Sequence, residues 1–234
     1  MRYSNIKKAT FYERPNRFIA HGLVEGKKEI IHVKNTGRCK ELLVPGAQIY
    51  LEEFDNPNRK TKWDLIAVEK GDVLINMDSQ APNKVVGEWL LKNDVADFQK
   101  ITLMKPEAKY RRSRFDFYLE TEEKKIYIEV KGVTLEVNGV AKFPDAPSLR
   151  GVRHIQELIC AKEEGFEAYV IFVVKMKGVD YFTPNCATHP EFKEALVKAE
   201  EKGVKLLAYD CIVKPDELTM DKPLTVFIDK SRGF

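Results

Sequence analysis

Several absences in this chain narrow its chemistry before any motif is read. The four cysteines, Cys39, Cys160, Cys186 and Cys211, stand far apart and form neither a Cys-x-x-Cys pair nor a Cys/His cluster. A disulfide framework or a structural zinc site therefore has no support, and the thiols read as reduced core residues. No charged segment followed by an apolar stretch opens the sequence, and the longest apolar run, Ala168 to Val174, is far shorter than a membrane span requires. A cytoplasmic protein with no membrane partner is expected. Gly-rich phosphate loops, internal repeats and low-complexity tracts are missing too, and His21, His32, His189 and the cysteines show no nucleophile–base spacing.

Charge of one sign is also scarce. A formal net charge of +3 does not mark a nucleic-acid binder, and the small basic excess lies within residues 1–80. The 44% hydrophobic and 32% charged content is that of an ordinary globular chain, and 234 residues suffice for two small domains. From about Lys8 to Met77, short β-like runs alternate with turns: Arg17–Val24, Glu29–Val33, Ala47–Phe54, Trp63–Val68 and Val73–Asn76. That spacing predicts a small closed or nearly closed barrel over residues 1–80. The segment Ala81-Pro-Asn83 reads as a linker into a helix, and a second domain follows over 81–234.

In this second part the periodicity changes. Val85, Val86, Trp89 and Leu90 keep helical spacing, whereas Phe115–Leu119 and Ile126–Val130 alternate as strands. Asn138-Gly139 between apolar residues signals a two-residue hairpin turn. Helices over 148–164 and 190–202, each closed by a glycine, precede strands Tyr169–Val174 and Val204–Val213. The order αβββαβαβ predicts an α/β (α+β) domain, a mixed sheet with helices packed on it.

Strand alternation also brings acids together. Phe115, Phe117 and Leu119 should face one way and Arg114, Asp116 and Tyr118 the other; Ile126, Ile128 and Val130 should oppose Tyr127, Glu129 and Lys131 in the same manner. Paired across the polar turn at 121–125, the strands place Asp116, Glu129 and Lys131 on one surface. Two carboxylates this close repel unless a cation lies between them. Mg²⁺ or Mn²⁺ meets that need, and a bound water can then be ionised for attack on a phosphate, with the Lys131 ammonium orienting it or neutralising developing charge. The alternative is a solvated hairpin face on which Glu129 and Lys131 are an exposed charge pair.

Basic residues gather near these strands. Between Lys100 and Arg114 stand Lys100, Lys105, Lys109, Arg111, Arg112 and Arg114 against one acid, Glu107. Such a run is either a solvated loop or a funnel for a phosphodiester chain. Arg150, Arg153 and His154 lie near the start of the helix at Ser148, where free amides favour anions; His154 ranks low, because a lone helical histidine is more often structural. In the barrel, Arg59, Lys60 and Lys62 form an exposed basic loop, while Phe18, Tyr50, Phe54 and Trp63 could stack bases or fill the core.

The runs Arg114-Phe-Asp-Phe117, Ile128-Glu-Val-Lys-Gly132, Phe143-Pro-Asp-Ala-Pro-Ser-Leu-Arg-Gly151 and His154-Ile-Gln-Glu-Leu158 together resemble the bacterial and archaeal sugar fermentation stimulation protein A family. Asn35-Thr-Gly37, Asp55-Asn-Pro57 and Pro82-Asn83 extend the likeness over nearly the whole chain. The resemblance implies an N-terminal OB-fold, then a restriction-endonuclease-like domain of the PD-(D/E)XK type, and DNA binding of low sequence preference. Carried over by position, Asp116, Glu129 and Lys131 supply that motif's catalytic residues, and Glu88 on the first core helix joins Asp116 and Glu129 as a metal-binding acid. Phe115 stands where the strict motif has proline. The expected function is a Mg²⁺- or Mn²⁺-dependent phosphodiesterase acting on DNA or RNA, DNA foremost; a DNA-binding regulator that keeps the fold without turnover is the alternative. Nothing in the sequence marks a sugar site.

Overall fold

The structure is a computed structural model and describes residues 1–35, 37–92 and 95–229. Thr36, in the middle of the Asn35–Gly37 run, lies outside the described residues. The N-terminal part holds β1 (Ile6–Asn16), β2 (Ile19–Val24), β3 (Lys27–His32), β4 (Gln48–Glu53), β5 (Trp63–Lys70) and β6 (Val73–Asn76). The first three form an antiparallel meander, β4 pairs with β1, and β5 pairs with β4. A short parallel pairing of β3 with β5, Ile31 to Trp63 and His32 to Asp64, closes five strands into an OB-like barrel, and β6 extends β5 outside it. Ala9, Phe11, Ala20, Ile31, Ile49, Leu51, Trp63 and Leu65 fill the interior, so Trp63 is core rather than a stacking platform. β1 escapes the sequence pattern because register shifts between Phe11 and Glu13 and between Glu13 and Asn16 break its alternation.

The second part carries α1 (Ala81–Lys92), β7 (Leu103–Tyr110), β8 (Ser113–Glu120), β9 (Lys125–Val133), β10 (Leu135–Val137), β11 (Val140–Phe143), α2 (Leu149–Glu163), β12 (Glu167–Val174), β13 (Tyr181–Pro184), α3 (Pro190–Glu201), β14 (Lys205–Lys214) and β15 (Glu217–Val226). Nine strands run in the order β10-β11-β13-β15-β14-β12-β9-β8-β7 as one mixed sheet. α1 covers one face, where Val85, Val86, Trp89 and Leu90 pack on Phe117, Ile128 and Ile171; each such apolar side chain is worth about 1.5–3 kcal/mol when buried. α2 and α3 cover the other face through Ile155, Leu158, Phe192 and Leu196 against Val170 and Phe172. With helices on both faces, β12 is buried from Ala168 to Val174, which is why it reads as a continuous apolar run. Ser148 caps α2 by accepting from the Gly151 amide at 3.0 Å, and the β10–β11 turn uses Asn138 and Gly139 at φ 52° and 79°.

Three strands lie where the sequence pattern shows none. The stretch 100–114, expected as a solvated loop or a phosphate funnel, contains β7, an edge strand whose polar residues and Pro106 erase alternation; proline is tolerated there because an edge strand leaves one side of its backbone unpaired. β13 is only four residues long. β15 leaves one face wet, and Asp221, Lys222 and Pro223 interrupt it.

The two sheets meet through one continuous apolar cluster. The Asn76 amide donates to the Lys175 carbonyl at 3.0 Å, the Tyr3 amide to the Asp216 carbonyl at 2.8 Å, and a bridge joins Arg2 to Glu217, so the first residues of the chain pack against the second sheet. Gly37 lies so close to the Asp145 carboxylate that a Cβ there would collide with it. Two motifs far apart in sequence, Asn35–Gly37 and Phe143–Gly151, thus touch at this junction.

Candidate metal centre and nucleic-acid interface

β8 and β9 pair as an antiparallel hairpin, with Phe117 opposite Ile128 and Tyr118 opposite Tyr127, but the pairing ends before Asp116. Phe115 packs with Tyr110, Tyr127 and His154 on the α2 side, whereas Phe117 lies against Gly87 of α1. Alternation therefore slips by one residue at Asp116, and Phe115 does not share a face with Phe117 and Leu119 as regular alternation requires. Opposite the slip, Glu107 of β7 has φ 54°. Released from the ladder, Asp116 accepts from the Val130 backbone amide and from Asn83 Nδ2, both at 2.7 Å. Asn83 reaches it because α1 lies hard against β9: a Cβ on Gly132 would meet Pro82 Cγ at 2.7 Å.

Glu129 is buried on the α2 side. Its Oε1 accepts from Lys131 Nζ and from His154 Nδ1, the latter at 2.6 Å, while its Oε2 is buried with no hydrogen-bond partner among the described residues. Arg150 Nε donates to His154 Nε2 at 3.3 Å, which assigns the ring proton to Nδ1 and orients it toward Glu129. Burial acts to raise the Glu129 carboxyl, but the hydrogen bonds from His154 and Lys131 and the Lys131 charge outweigh it and hold the group below the ordinary carboxylate range. At Asp116 the balance is reversed. Burial, reinforced by the charge of Glu129, pushes its carboxyl up to about 6 against the two hydrogen bonds and Lys131.

Asp116, Glu129 and Lys131 thus come together, held by neighbours from both helical layers. Glu88 does not join them. Its half-exposed carboxylate pairs with the Met1 amino group at 2.9 Å. Glu88 lies five residues beyond Asn83, about 140° further round the helix at 3.6 residues per turn, so Asn83 is the α1 side chain that meets the acids. Among the described residues, no three His, Cys, Asp or Glu side chains form a ready metal cluster. The residues nevertheless suit a hard cation: two carboxylates, one with an orphaned buried oxygen and the other with a penalised charge, match Mg²⁺, which uses one or two protein carboxylates and retains waters.

The basic candidates divide. Lys109, Arg111, Arg112 and Arg114 from the β7–β8 turn, with Arg150 and Arg153 from α2, line one recess of about 380 Å³, with His154 and Ser113 in its wall. The barrel loop is different. Arg59 pairs with buried Asp64, donates to the Thr61 carbonyl and lies 3.9 Å over the Phe54 ring, so it is half-buried rather than free; Lys62 pairs with Glu53 at 2.6 Å, and Lys60 is exposed. Asn83 and Ser113 carry no signal of residue type or spacing, and His154, ranked low as an anion contact, is instead the partner of Glu129. A signal for His154 exists: Gly151, His154, Ile155 and Leu158 follow the i, i+3, i+4, i+7 spacing of a buried helical face.

Residues 13–77 match the family model described as SfsA N-terminal OB domain, and residues 80–217 match the one described as Sugar fermentation stimulation protein RE domain. The chain belongs to the sugar fermentation stimulation protein family. A family member from Ruminiclostridium cellulolyticum is 58% identical over 226 residues, covering 97% of this chain and 99% of that protein, and one from Clostridium beijerinckii is 58% identical over 220 residues, covering 94% and 96%. Among solved structures, Pyrococcus furiosus SfsA in complex with Ca²⁺ superposes with a TM-score of 0.90 at 28% identity, covering 97% of this chain and 98% of that one. Both halves of the family architecture are thus present along nearly the full length. Among the described residues, no helix is long and apolar enough to cross a membrane.

Proposed function

We propose that this family member binds nucleic acid, DNA foremost and with little sequence preference, and hydrolyses phosphodiester bonds at Asp116, Glu129 and Lys131 with Mg²⁺ or Mn²⁺. The observation that carries the reading is the electrostatic imbalance of the acid pair: Glu129 Oε2 is buried without a partner beside an Asp116 whose charge is disfavoured. A purely structural hairpin has no use for that arrangement, which a divalent cation would neutralise. A related protein was solved in complex with Ca²⁺, a cation that also takes oxygen ligands.

Each residue then has a distinct task. Asp116 and Glu129 supply ligand oxygens; Asn83 and the Val130 amide fix the first, His154 the second. A cation bound there would acidify a water and stabilise phosphate charge. The Lys131 ammonium supplies a fixed positive charge beside the acids that can orient the nucleophile or offset charge growing on the phosphate. Arginines on the β7–β8 turn and α2 contribute phosphate affinity that carries no sequence information.

Calorimetry with Mn²⁺, paired with incubation of labelled DNA and RNA in Mg²⁺, Mn²⁺ or EDTA, tests this. Asp116→Asn and Glu129→Gln should each weaken Mn²⁺ binding at least about tenfold and abolish metal-dependent cleavage. Lys131→Ala should retain metal affinity while losing turnover. Wild-type Mn²⁺ affinity in both carboxamide variants would show the acids to be structural. Metal binding with no cleavage of any strand would leave a DNA-binding protein without turnover.

A further inference from the structure

The recess beside Glu129 holds more positive charge than the track of a backbone phosphate needs. Arg111 is paired with Glu164 and Arg114 with Glu107, which leaves Lys109, Arg112, Arg150 and Arg153 without an acid partner among the described residues. These four cations surround about 380 Å³. Ser113, only 6% exposed, lines the same recess, and its hydroxyl is buried with no hydrogen-bond partner among the described residues. A ligand oxygen in the recess would supply the hydrogen-bond partner that this hydroxyl lacks within the protein. His154 forms the wall between this recess and the Glu129 carboxylate.

We propose that the recess seats the terminal phosphate of a nucleic-acid strand, so that the protein recognises phosphorylated ends beside its acid pair. This rests on the nucleic-acid reading given under Proposed function and adds the class of substrate. The charge decides between an end and a backbone. A phosphodiester carries a single negative charge and two free oxygens, whereas a phosphate monoester carries about −1.5 to −2 at neutral pH and three strong acceptor oxygens. Three oxygens can take a bidentate arginine, a second cation and the Ser113 hydroxyl together.

The test is fluorescence anisotropy in EDTA with one oligonucleotide sequence prepared with a 5′-phosphate, a 3′-phosphate or hydroxyls at both ends, and as a circle. One phosphorylated end should bind at least about tenfold tighter than the hydroxyl form, and which one does so identifies the polarity. Arg112→Gln with Arg153→Gln should erase that preference while hydroxyl-ended and circular strands change less. Ser113→Ala should lower the preference without lowering the melting temperature, since it deletes an unpartnered hydroxyl; a merely structural serine would not behave so. Equal binding of phosphorylated and hydroxyl ends overturns this proposal alone. Failure of every strand to bind the wild-type protein overturns the nucleic-acid reading and this proposal with it.

Discussion

The barrel loop at 55–62 and the turn at 110–114 are similarly basic in sequence, yet the fold uses their cations in opposite ways. In the barrel loop, Arg59 is tied to the buried carboxylate of Asp64, which also receives His32 and Lys34, and Lys62 is tied to Glu53. At the β7–β8 turn, Arg111 and Arg114 have acid partners, while Lys109 and Arg112, with none among the described residues, join Arg150 and Arg153 around an open recess. A cation that holds a buried acid is part of the fold, and one that faces a recess without an acid remains available to a phosphate. Counting lysines and arginines along the chain does not separate these two roles; the location of the nearest carboxylate does.

The largest expected effect would break or uphold that contrast directly. Replacing Lys109, Arg112 and Arg153 together by glutamine should reduce DNA affinity by about a hundredfold in moderate salt and make the log–log salt slope shallower by about 0.9 for each phosphate that is no longer neutralised. The matching replacement of Arg59, Lys60 and Lys62 should change affinity by less than about threefold. Equal reductions in titrations over a range of salt concentrations would erase the distinction between the two basic regions.

Next in size is the link between the recess and the acids. His154→Ala removes a 2.6 Å partner from buried Glu129 and should cost about 2–3 kcal/mol in urea unfolding. Unchanged stability would mean that Lys131 alone suffices for Glu129.

A smaller effect separates the two arginines most alike in sequence setting. Arg59→Ala should destabilise by about 1–2 kcal/mol, because Asp64 is left with His32 and Lys34 only; Arg112→Ala should stay within about 0.5 kcal/mol of wild type. Melting curves of the two variants suffice to check the order.

The smallest effect is a dependence on pH that pits one acid against the other. Asp116, raised to about 6, binds protons more tightly folded than unfolded, so its contribution to stability falls as pH rises from about 4 to about 6. Glu129 is held low, so its contribution is present above about 4.5 and is lost as pH falls further. In EDTA, Asp116→Asn should flatten the decline between pH 4 and 6 and leave the acid limb below it; thermal melts across that range would show it. An unaltered decline in the variant would place the titrating group elsewhere.

Much of the architecture was legible because it rests on local rules. Asn138-Gly139 specifies a turn with two positive φ angles, Ser148 caps α2, and the apolar run 168–174 marks a strand buried on both faces. The nearness of Asp116 to Glu129 and Lys131 was legible from two short strands joined by a polar turn, although the alternation expected to set their shared face slips at Asp116. β1, β7 and β15 were not legible, because bulges, Pro106 and Pro223 obscure period-2 alternation at solvent-facing strands.

The sequence by itself determined most of the elements outside β1, β7, β13 and β15, where most of them turn, and which charged residues lie near one another along the chain, because these follow from backbone propensity and periodicity over a few residues. Tertiary structure alone decided that β3 meets β5 to close the barrel, that the alternation slips at Asp116, and that Asn83 rather than Glu88 reaches the acids. It also decided that His154 holds Glu129, and that Lys109 and Arg112 face an open recess while Arg59 and Lys62 of the barrel loop are tied to Asp64 and Glu53. Each of these outcomes depends on how helices and sheets far apart in sequence pack, and on the carboxylate that packing puts within reach, which no local pattern encodes.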